Sequence, residues 1–239
     1  MRNKLAITKS VAALQMAYTA LETRGFGVPG MALVHGYTGA GKTTAVTWLV
    51  NRTRGVYVRA MRTWTPSTML GRIMTELGAA PLGRNAAMVD FIVGALTEQQ
   101  RPLFVDEADY LVKSGDMIET LRDIHDLSGV PLVMVGMAGI ERRLVSRPQI
   151  ARRISHWVEF LRSDLEDTGL VATAACEVTL DDELLARVHT ESGGSVGLAV
   201  VGLARIEALA KANGWRTVTA EQWGPRKLFL GQAGAGAAR

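Results

Sequence analysis

The segment Gly36–Thr43, GYTGAGKT, fulfils every fixed position of the pattern GxxxxGK followed by Ser or Thr. It follows the apolar run at 31–35, MALVH, and opens the segment 43–54, whose apolar residues have helical spacing. A strand, a glycine-rich turn and a helix in this order place backbone N–H groups and a helix N-terminus around a phosphate. The motif therefore predicts a parallel α/β domain that binds the phosphates of a nucleotide.

Each part of this phosphate-binding loop has a predicted role. We expect Lys42 to reach the phosphate oxygens and the Thr43 hydroxyl to be a ligand of Mg²⁺. The predicted nucleotide-binding residues of the loop are Gly36, Tyr37, Thr38, Gly39, Ala40, Gly41, Lys42, Thr43 and Thr44. The predicted cofactors are thus a nucleotide and Mg²⁺.

The third apolar strand along the chain, PLFV, ends in the acidic pair Asp106–Glu107. We expect Asp106 to lie beside the loop as nucleotide and magnesium contact, and Glu107 to orient and deprotonate the attacking water. Glu107 could instead cap the next helix, which is the role we predict for Asp109. A phosphate site with a metal and a base indicates hydrolysis, whereas a P-loop kinase usually carries an acceptor site and an Arg-rich lid.

Apolar strands that alternate with helices predict a parallel sheet covered on both faces. The predicted strands are 31–35, 56–60, 102–109, 131–136 and 156–160. Strand signals stop near Ser163, and the segments 164–176, 181–190 and 195–213 have helical patterns. We therefore predict an α/β domain with an N-terminal helix over 1–161, a small helical domain over 162–226 and a flexible tail over 227–239.

Composition restricts the setting of the chain. Its single cysteine, Cys176, excludes an internal disulfide, and its four histidines are too dispersed for a zinc site. The longest apolar stretch, 130–140, is shorter than the ~20 residues needed to span a bilayer. We therefore expect no membrane partner and a cytoplasmic location. The balance of 27 Lys and Arg against 23 Asp and Glu permits DNA binding without establishing it.

Together these motifs resemble those of the AAA+ ATPases. GYTGAGKT corresponds to Walker A, LFVDEAD to Walker B and PLVMVG to the sensor-1 strand, before a basic stretch and a helical lid. The phrases VGMAGIERRL, QIARRI and SGGSVGLAVVGLARIEALA are most similar to transposition target-selection ATPases of the MuB and TnsC type, from Mu-like phages and related transposons. The resemblance covers about residues 5–223. It implies an AAA+ P-loop NTPase with a parallel five-stranded sheet between helices and a small all-α lid.

The resemblance also implies a function. Such proteins are ATPases that bind double-stranded DNA in an ATP-dependent way and without sequence specificity. They form homo-oligomers or helical filaments on the DNA and deliver it to a transposase. ATP is the nucleotide implied, and the bacterial host cytoplasm is the location if the chain is phage-encoded. A helicase loader, a small-molecule P-loop kinase and a non-catalytic nucleotide switch are the alternatives, although a pure switch has no need of Glu107.

The family positions indicate how hydrolysis is controlled. Arg147, Arg152 and Arg153 match candidate arginine fingers that act on a neighbouring subunit, with Arg153 first because the family has an Arg just before the last strand. Met137 stands where a polar sensor-1 residue is usual, and the segment 194–197 stands where a sensor-2 Arg is often found. Both departures predict slow intrinsic hydrolysis, stimulated by DNA, by oligomerisation and by the partner.

In this family the loop and helix after the second strand face DNA. The corresponding segment, 59–68, offers guanidinium and hydroxyl groups that suit phosphate contacts. The candidate DNA-binding residues are Arg59, Arg62, Thr63 and Thr65, with Arg72, Arg84 and Lys113 as additions. We expect Trp64 to pack under the helix instead. Phosphate contacts predict an affinity that falls steeply with salt.

Overall fold

Five parallel strands form the central sheet of the structure, a computed structural model that describes residues 1–229. They are β1 (Met31–Gly36), β2 (Val56–Arg59), β3 (Leu103–Asp106), β4 (Leu132–Val135) and β5 (Ile154–Phe160). Their spatial order is β2-β3-β4-β1-β5. Every residue of β1, β3 and β4 is buried, because helices cover both faces of a parallel sheet. The predicted five-stranded parallel sheet is confirmed.

Topology places the predicted nucleotide residues at one edge of this sheet. Because all five strands run in the same direction, the turns after β1, β2 and β3 leave from the same edge. Gly36, Arg59 and the pair Asp106–Glu107 stand at these three strand ends. Ligands of open α/β sheets bind at the carboxyl ends of strands in this way.

The chain divides into two compact units, which we name the sheet unit and the helical unit. The sheet unit comprises residues 12–37 and 42–160, and the helical unit comprises 1–11, 38–41 and the chain from 161 onward. The domain limits predicted at 161 and 226 remain predictions.

Helices surround the strands of the sheet unit. They are α1 (Lys9–Glu22, whose first residues belong to the helical unit), α2 (Lys42–Thr53), α3 (Pro66–Glu76), α4 (Asn85–Gln99), α5 (Asp109–Val112), α6 (Gly115–Ser128), α7 (Ile140–Val145) and α8 (Pro148–Ala151). Ile73, Ile92 and Leu121, on α3, α4 and α6, are fully buried in one apolar core. The sequence did not predict α5 and α8, because four residues are too few to display a 3.6-residue period.

The helical unit contains the three predicted helices and some short elements besides. Its elements are α9 (Leu165–Ala175), β6 (Thr179–Leu180), α10 (Asp182–Ser192), α11 (Val196–Asn213), β7 (Thr217–Val218) and α12 (Ala220–Trp223). Side chains of Asp164, Asp181, Ser195 and Thr219 accept a backbone N–H at the four helix starts. The parallel pair of β6 with β7 corrects the expectation of a purely helical lid. Strands of two residues have no alternation to read.

The last described residues belong to the core of the helical unit. Leu228 is fully buried, and Phe229 packs against the same apolar cluster, although the predicted tail begins at 227. The remainder of that predicted tail, 230–239, lies outside the described residues. Within residues 1–229, no helix combines the length and apolarity needed to cross a membrane.

Candidate nucleotide-binding site

Gly36 ends β1 and is paired with Phe160 of β5. Its φ is 140°, a backbone conformation that side chains disfavour. A Cβ atom at this position would lie 2.2 Å from the carbonyl oxygen of Phe160. Only glycine therefore fits at the first position of the phosphate-binding motif.

Lys42 begins α2, and its side chain turns back toward the start of the loop. Its Nζ donates to the carbonyl oxygens of Gly36 and Tyr37, each at 2.7 Å. Burial lowers the pKa of Lys42, an effect that the nearby carboxylates of Asp106, Asp109 and Glu107 oppose. The ammonium group thus lies at the loop, where it can give a phosphate a charged donor.

The Asp106 carboxylate, at the end of β3, is buried and accepts three hydrogen bonds. Its Oδ2 accepts from Thr43 Oγ1 at 3.0 Å and from the Tyr57 hydroxyl at 2.9 Å. Its Oδ1 accepts from the backbone N–H of Glu107 at 2.8 Å. Sequence reasoning brought Thr43 and Asp106 together but missed Tyr57, whose only signal was a polar-tipped aromatic in an otherwise buried strand.

The oxygens of Thr43 and Asp106 fit a magnesium ion. A hydroxyl and a carboxylate oxygen, the ligand types that Mg²⁺ prefers, meet here at the start of α2. Magnesium bound with a nucleotide would neutralise the charge of its phosphates. In the described part of the chain, no group of three or more His, Cys, Asp or Glu side chains forms a metal site of its own.

Glu107 has the left-handed backbone conformation, with a φ of 55°. A residue with a side chain in this region stores about 1 kcal/mol or more of strain, and such strain concentrates at functional sites. Its carboxylate forms an ion pair with Arg59, at 3.0 Å between Oε1 and Nη2. The Glu107 side chain is 30% exposed, so water can reach the predicted base.

Arg59 joins the predicted DNA segment to this site. It ends β2 in register with Asp106 of β3, and its side chain remains 61% exposed. The sequence predicted Arg59 as a DNA contact and Glu107 as the base, but it did not predict that they touch. Register between two strands that lie far apart in sequence brings them together.

Asp109 is not the helix cap that the sequence predicted. The backbone of Ala108 precedes α5, and no side chain caps that helix. The Asp109 carboxylate is buried, accepts the backbone N–H of Met137 at 2.7 Å and pairs with Arg143. Asp109 therefore anchors the turn after β4, where Met137 occupies the predicted sensor-1 position with an exposed side chain.

The loop residues 38–41 belong to the helical unit, whereas the exposed Tyr37 and Thr44 belong to the sheet unit. Within that unit the carbonyl oxygen of Gly39 accepts from the Gly197 N–H at 2.9 Å and from Ser195 Oγ at 3.4 Å. The sensor-2 segment thus meets the loop with a backbone amide and a hydroxyl. Arg205, further along α11, donates to the carbonyl of Lys227.

The other predicted DNA residues are all exposed. Arg62 and Thr63 are exposed in the turn before α3, Thr65 caps α3, Arg72 is exposed on α3, Arg84 precedes α4, and Lys113 follows α5. Thr65 accepts the N–H of Thr68 at 3.3 Å, so it also stabilises the helix start. Trp64 is 8% exposed and packs in the core, as predicted.

The three candidate arginine fingers differ in their contacts. Arg153 Nε donates to both oxygens of Asp126 at 2.9 and 3.1 Å, and Arg147 donates to the Val112 carbonyl at 3.3 Å. The Arg152 side chain is exposed and forms no hydrogen bond or ion pair within residues 1–229. The carbonyl of Arg153 accepts the N–H of Met31, so Arg153 lies at the amino edge of the sheet, about 17 Å along β1 from Gly36.

Comparison with known proteins agrees with this architecture. Residues 27–144 match a protein family described as an AAA domain. Comparison with curated proteins gives no match. The matched segment contains β1 to β4, with both the phosphate-binding loop and the acidic pair.

Solved structures extend the similarity beyond the AAA domain. The ORC2 protein of Aeropyrum pernix, in ADPNP–ADP complexes, has a TM-score of 0.70 and 16% identity, over 93% of this chain and 67% of that one. The ORC1 protein of the same organism, in complex with DNA, has a TM-score of 0.64 and 18% identity, over 89% and 62%. Cdc6p from Pyrobaculum aerophilum has a TM-score of 0.63 and 17% identity, over 88% and 63%.

These similarities establish the fold. The AAA+ P-loop NTPase fold predicted from the sequence is confirmed, with helices following the sheet. This chain spans roughly two thirds of the length of the solved structures. The narrower resemblance to the MuB and TnsC type remains a prediction.

Proposed function

We propose that this chain is an ATPase that hydrolyses ATP with Mg²⁺ and couples hydrolysis to DNA binding. The hydrogen-bonded group formed by Thr43, Asp106 and Glu107, with Lys42 at the adjacent loop, carries this proposal. The group combines a cation for phosphate, two oxygen ligands for the metal and a carboxylate base. The fold shared with a structure of the ORC2 protein in ADPNP–ADP complexes supports a nucleotide as the ligand.

The side chains divide the chemistry between them. Lys42 Nζ neutralises charge on the phosphates, and Thr43 and Asp106 would hold Mg²⁺, which stabilises the developing negative charge. Glu107 accepts the proton of the attacking water at its carboxylate. The backbone N–H of Glu107 donates to the Asp106 carboxylate. This bond keeps Glu107 in the strained backbone conformation that directs the Glu107 carboxylate.

The ion pair between Arg59 and Glu107 supports the DNA link. While Arg59 holds the carboxylate, Glu107 is engaged by a cation rather than by water. A DNA phosphate that binds Arg59 competes for the guanidinium and releases the base. Slow intrinsic hydrolysis that DNA stimulates is the expected behaviour.

We propose further that the chain assembles as oligomers or filaments on duplex DNA without sequence preference and delivers that DNA to a transposase. The motif phrases that resemble the MuB and TnsC type support this function, as does the fold shared with the ORC1 protein in complex with DNA. The exposed Arg152 offers a finger for a neighbouring subunit. Cytoplasmic location accompanies this proposal. A helicase loader is the alternative within the same class.

The decisive experiment measures ATPase rate and particle size for the wild type and Glu107→Gln, with and without random-sequence duplex DNA, at low and moderate salt. ATP and DNA are expected to give large assemblies that salt dissolves. Glu107→Gln should preserve them while hydrolysis falls by at least about a hundredfold, the contribution of a general base. Glu98→Gln, a change of an exposed carboxylate on α4, is the matched control and should behave like the wild type.

Other outcomes redirect the proposal. A monomer whose rate and size ignore DNA contradicts a DNA-coupled ATPase and favours a small-molecule kinase. DNA stimulation without extended assemblies contradicts the filament and favours a loader. Hydrolysis that survives Glu107→Gln removes Glu107 as the base.

A further inference from the structure

Tyr57 reaches the acidic site from the neighbouring strand. It lies in register with Phe104 of β3, so its ring must extend two residues along the sheet, about 6.6 Å, to meet Asp106. Its hydroxyl donates to Asp106 Oδ2 at 2.9 Å, the same oxygen that accepts from Thr43. Val56 and Val58 are buried beside it, which anchors the strand that carries it.

The Tyr57 hydroxyl is a dependable donor. Its partner is a carboxylate oxygen, which can only accept, so the hydroxyl is the donor of this bond. Thr43 has a second predicted role as a magnesium ligand. The Tyr57 hydroxyl, unlike that of Thr43, has no predicted role other than its contact with Asp106.

The orientation of the Asp106 carboxylate determines the contacts of both of its oxygens. With Oδ2 held by the two hydroxyls, Oδ1 faces the backbone N–H of Glu107 at 2.8 Å. That bond supports Glu107 in its left-handed conformation. A rotation of the Asp106 carboxylate would therefore disturb the metal side and the base together.

We propose that Tyr57 is a positioning residue, whose hydroxyl orients the Asp106 carboxylate for magnesium and, through that carboxylate, sets the backbone of Glu107. The proposal rests on the proposed ATPase function and deepens it. Groups that hydrogen-bond a metal ligand from behind typically contribute 10- to 100-fold to metal affinity or activity.

Tyr57→Phe tests the role, because it removes the hydroxyl and keeps the ring. A fluorescent ATP analogue is titrated in EDTA and at increasing Mg²⁺, and ATPase rate and thermal unfolding are measured on the same samples. We expect the Mg²⁺ concentration for half-maximal binding and hydrolysis to rise about tenfold. Analogue affinity in EDTA should not change. Tyr18→Phe is the control, since it also removes a hydrogen-bonded hydroxyl, from a buried tyrosine on α1.

A double-mutant cycle identifies the path of the effect. If Tyr57 acts through Asp106, Tyr57→Phe should have no further effect on the Mg²⁺ dependence of analogue binding in an Asp106→Asn background. An equal tenfold loss in that background contradicts the role. A Tyr57→Phe variant whose Mg²⁺ dependence equals that of the wild type also contradicts it. The same holds if Tyr57→Phe weakens analogue affinity in EDTA as much as it does in Mg²⁺.

The binding measurement separates this proposal from the proposed function. A wild type that binds the analogue in a Mg²⁺-dependent way but hydrolyses no ATP contradicts the ATPase, while the shift caused by Tyr57→Phe still decides the role of Tyr57. A wild type whose analogue binding ignores Mg²⁺ overturns the positioning role itself.

Discussion

Arg59 and Glu107 form their ion pair on the surface, where such pairs contribute about 0.5 kcal/mol. Arg59→Gln should therefore raise the ATPase rate without DNA by about twofold, because the base loses its competing cation. Stimulation by DNA should shrink in the same variant, since the contact that DNA relieves is already absent. ATPase assays with and without duplex DNA measure both effects.

Arg62→Gln is the control for this prediction. Arg62 is exposed in the same segment and is a predicted DNA contact, but it does not contact Glu107. Its loss should weaken DNA binding and leave the DNA-free rate unchanged. If Arg59→Gln also leaves the DNA-free rate unchanged, the ion pair does not restrain the base.

Two elements contain a glycine whose replacement by alanine should have opposite effects. In β1, Gly36→Ala places Cβ against the backbone of β5 and should lower the free energy of unfolding by about 2–4 kcal/mol. In α4, Gly94 has open space around its Cα, so Gly94→Ala should raise the free energy of unfolding by about 0.5–1 kcal/mol. Denaturant unfolding of both variants measures the difference. Two effects of the same sign would contradict this account of the β1–β5 contact.

Elements also differ in how well the sequence predicted them. The strands of the sheet could be predicted because each is a run of four to seven mostly apolar residues, and these runs alternate with amphipathic helices. The short elements α5, α8, β6 and β7 were not, because a period needs more residues than they contain. Asp109 was misjudged for the same reason: without α5, its position resembled a cap.

At the scale of the whole molecule, the position of Arg153 bears on the proposal that hydrolysis depends on assembly. It lies at the amino edge of the sheet, and Gly36 stands at the carboxyl edge, so Arg153 cannot reach the loop of its own chain. In the proposed assembly, an arginine finger acts on a neighbouring copy. We expect it to be Arg152, because Arg147 and Arg153 already have partners in the sheet unit.

This expectation is tested by the dependence of the rate on protein concentration. The ATPase rate per chain should rise as assemblies form, and Arg152→Ala should lower the assembled rate by about a thousandfold while nucleotide binding persists. Arg142→Ala is the control, because its side chain is 90% exposed on neighbouring α7. A rate per chain that is constant over concentration would contradict a finger supplied by another copy.

Local signals were enough to determine the phosphate-binding loop, the acidic pair, the parallel sheet and the helices after it. The loop needs glycines, a lysine and a hydroxyl within eight consecutive residues, and strand and helix periods repeat over short windows. For that reason Lys42, Thr43, Asp106 and Glu107 could be proposed as site residues from the sequence, and their chemical roles stay predictions.

Only the tertiary structure decided which side chains these residues touch. Tyr57 contacts Asp106, Arg59 contacts Glu107, and Asp109 contacts Met137, across 28 to 49 residues of sequence. Such contacts depend on strand order and register, and a shift of one residue would turn each side chain to the opposite face. Periodicity within a segment contains no information about the register between segments, so the partners of the acidic pair could not be read from the sequence.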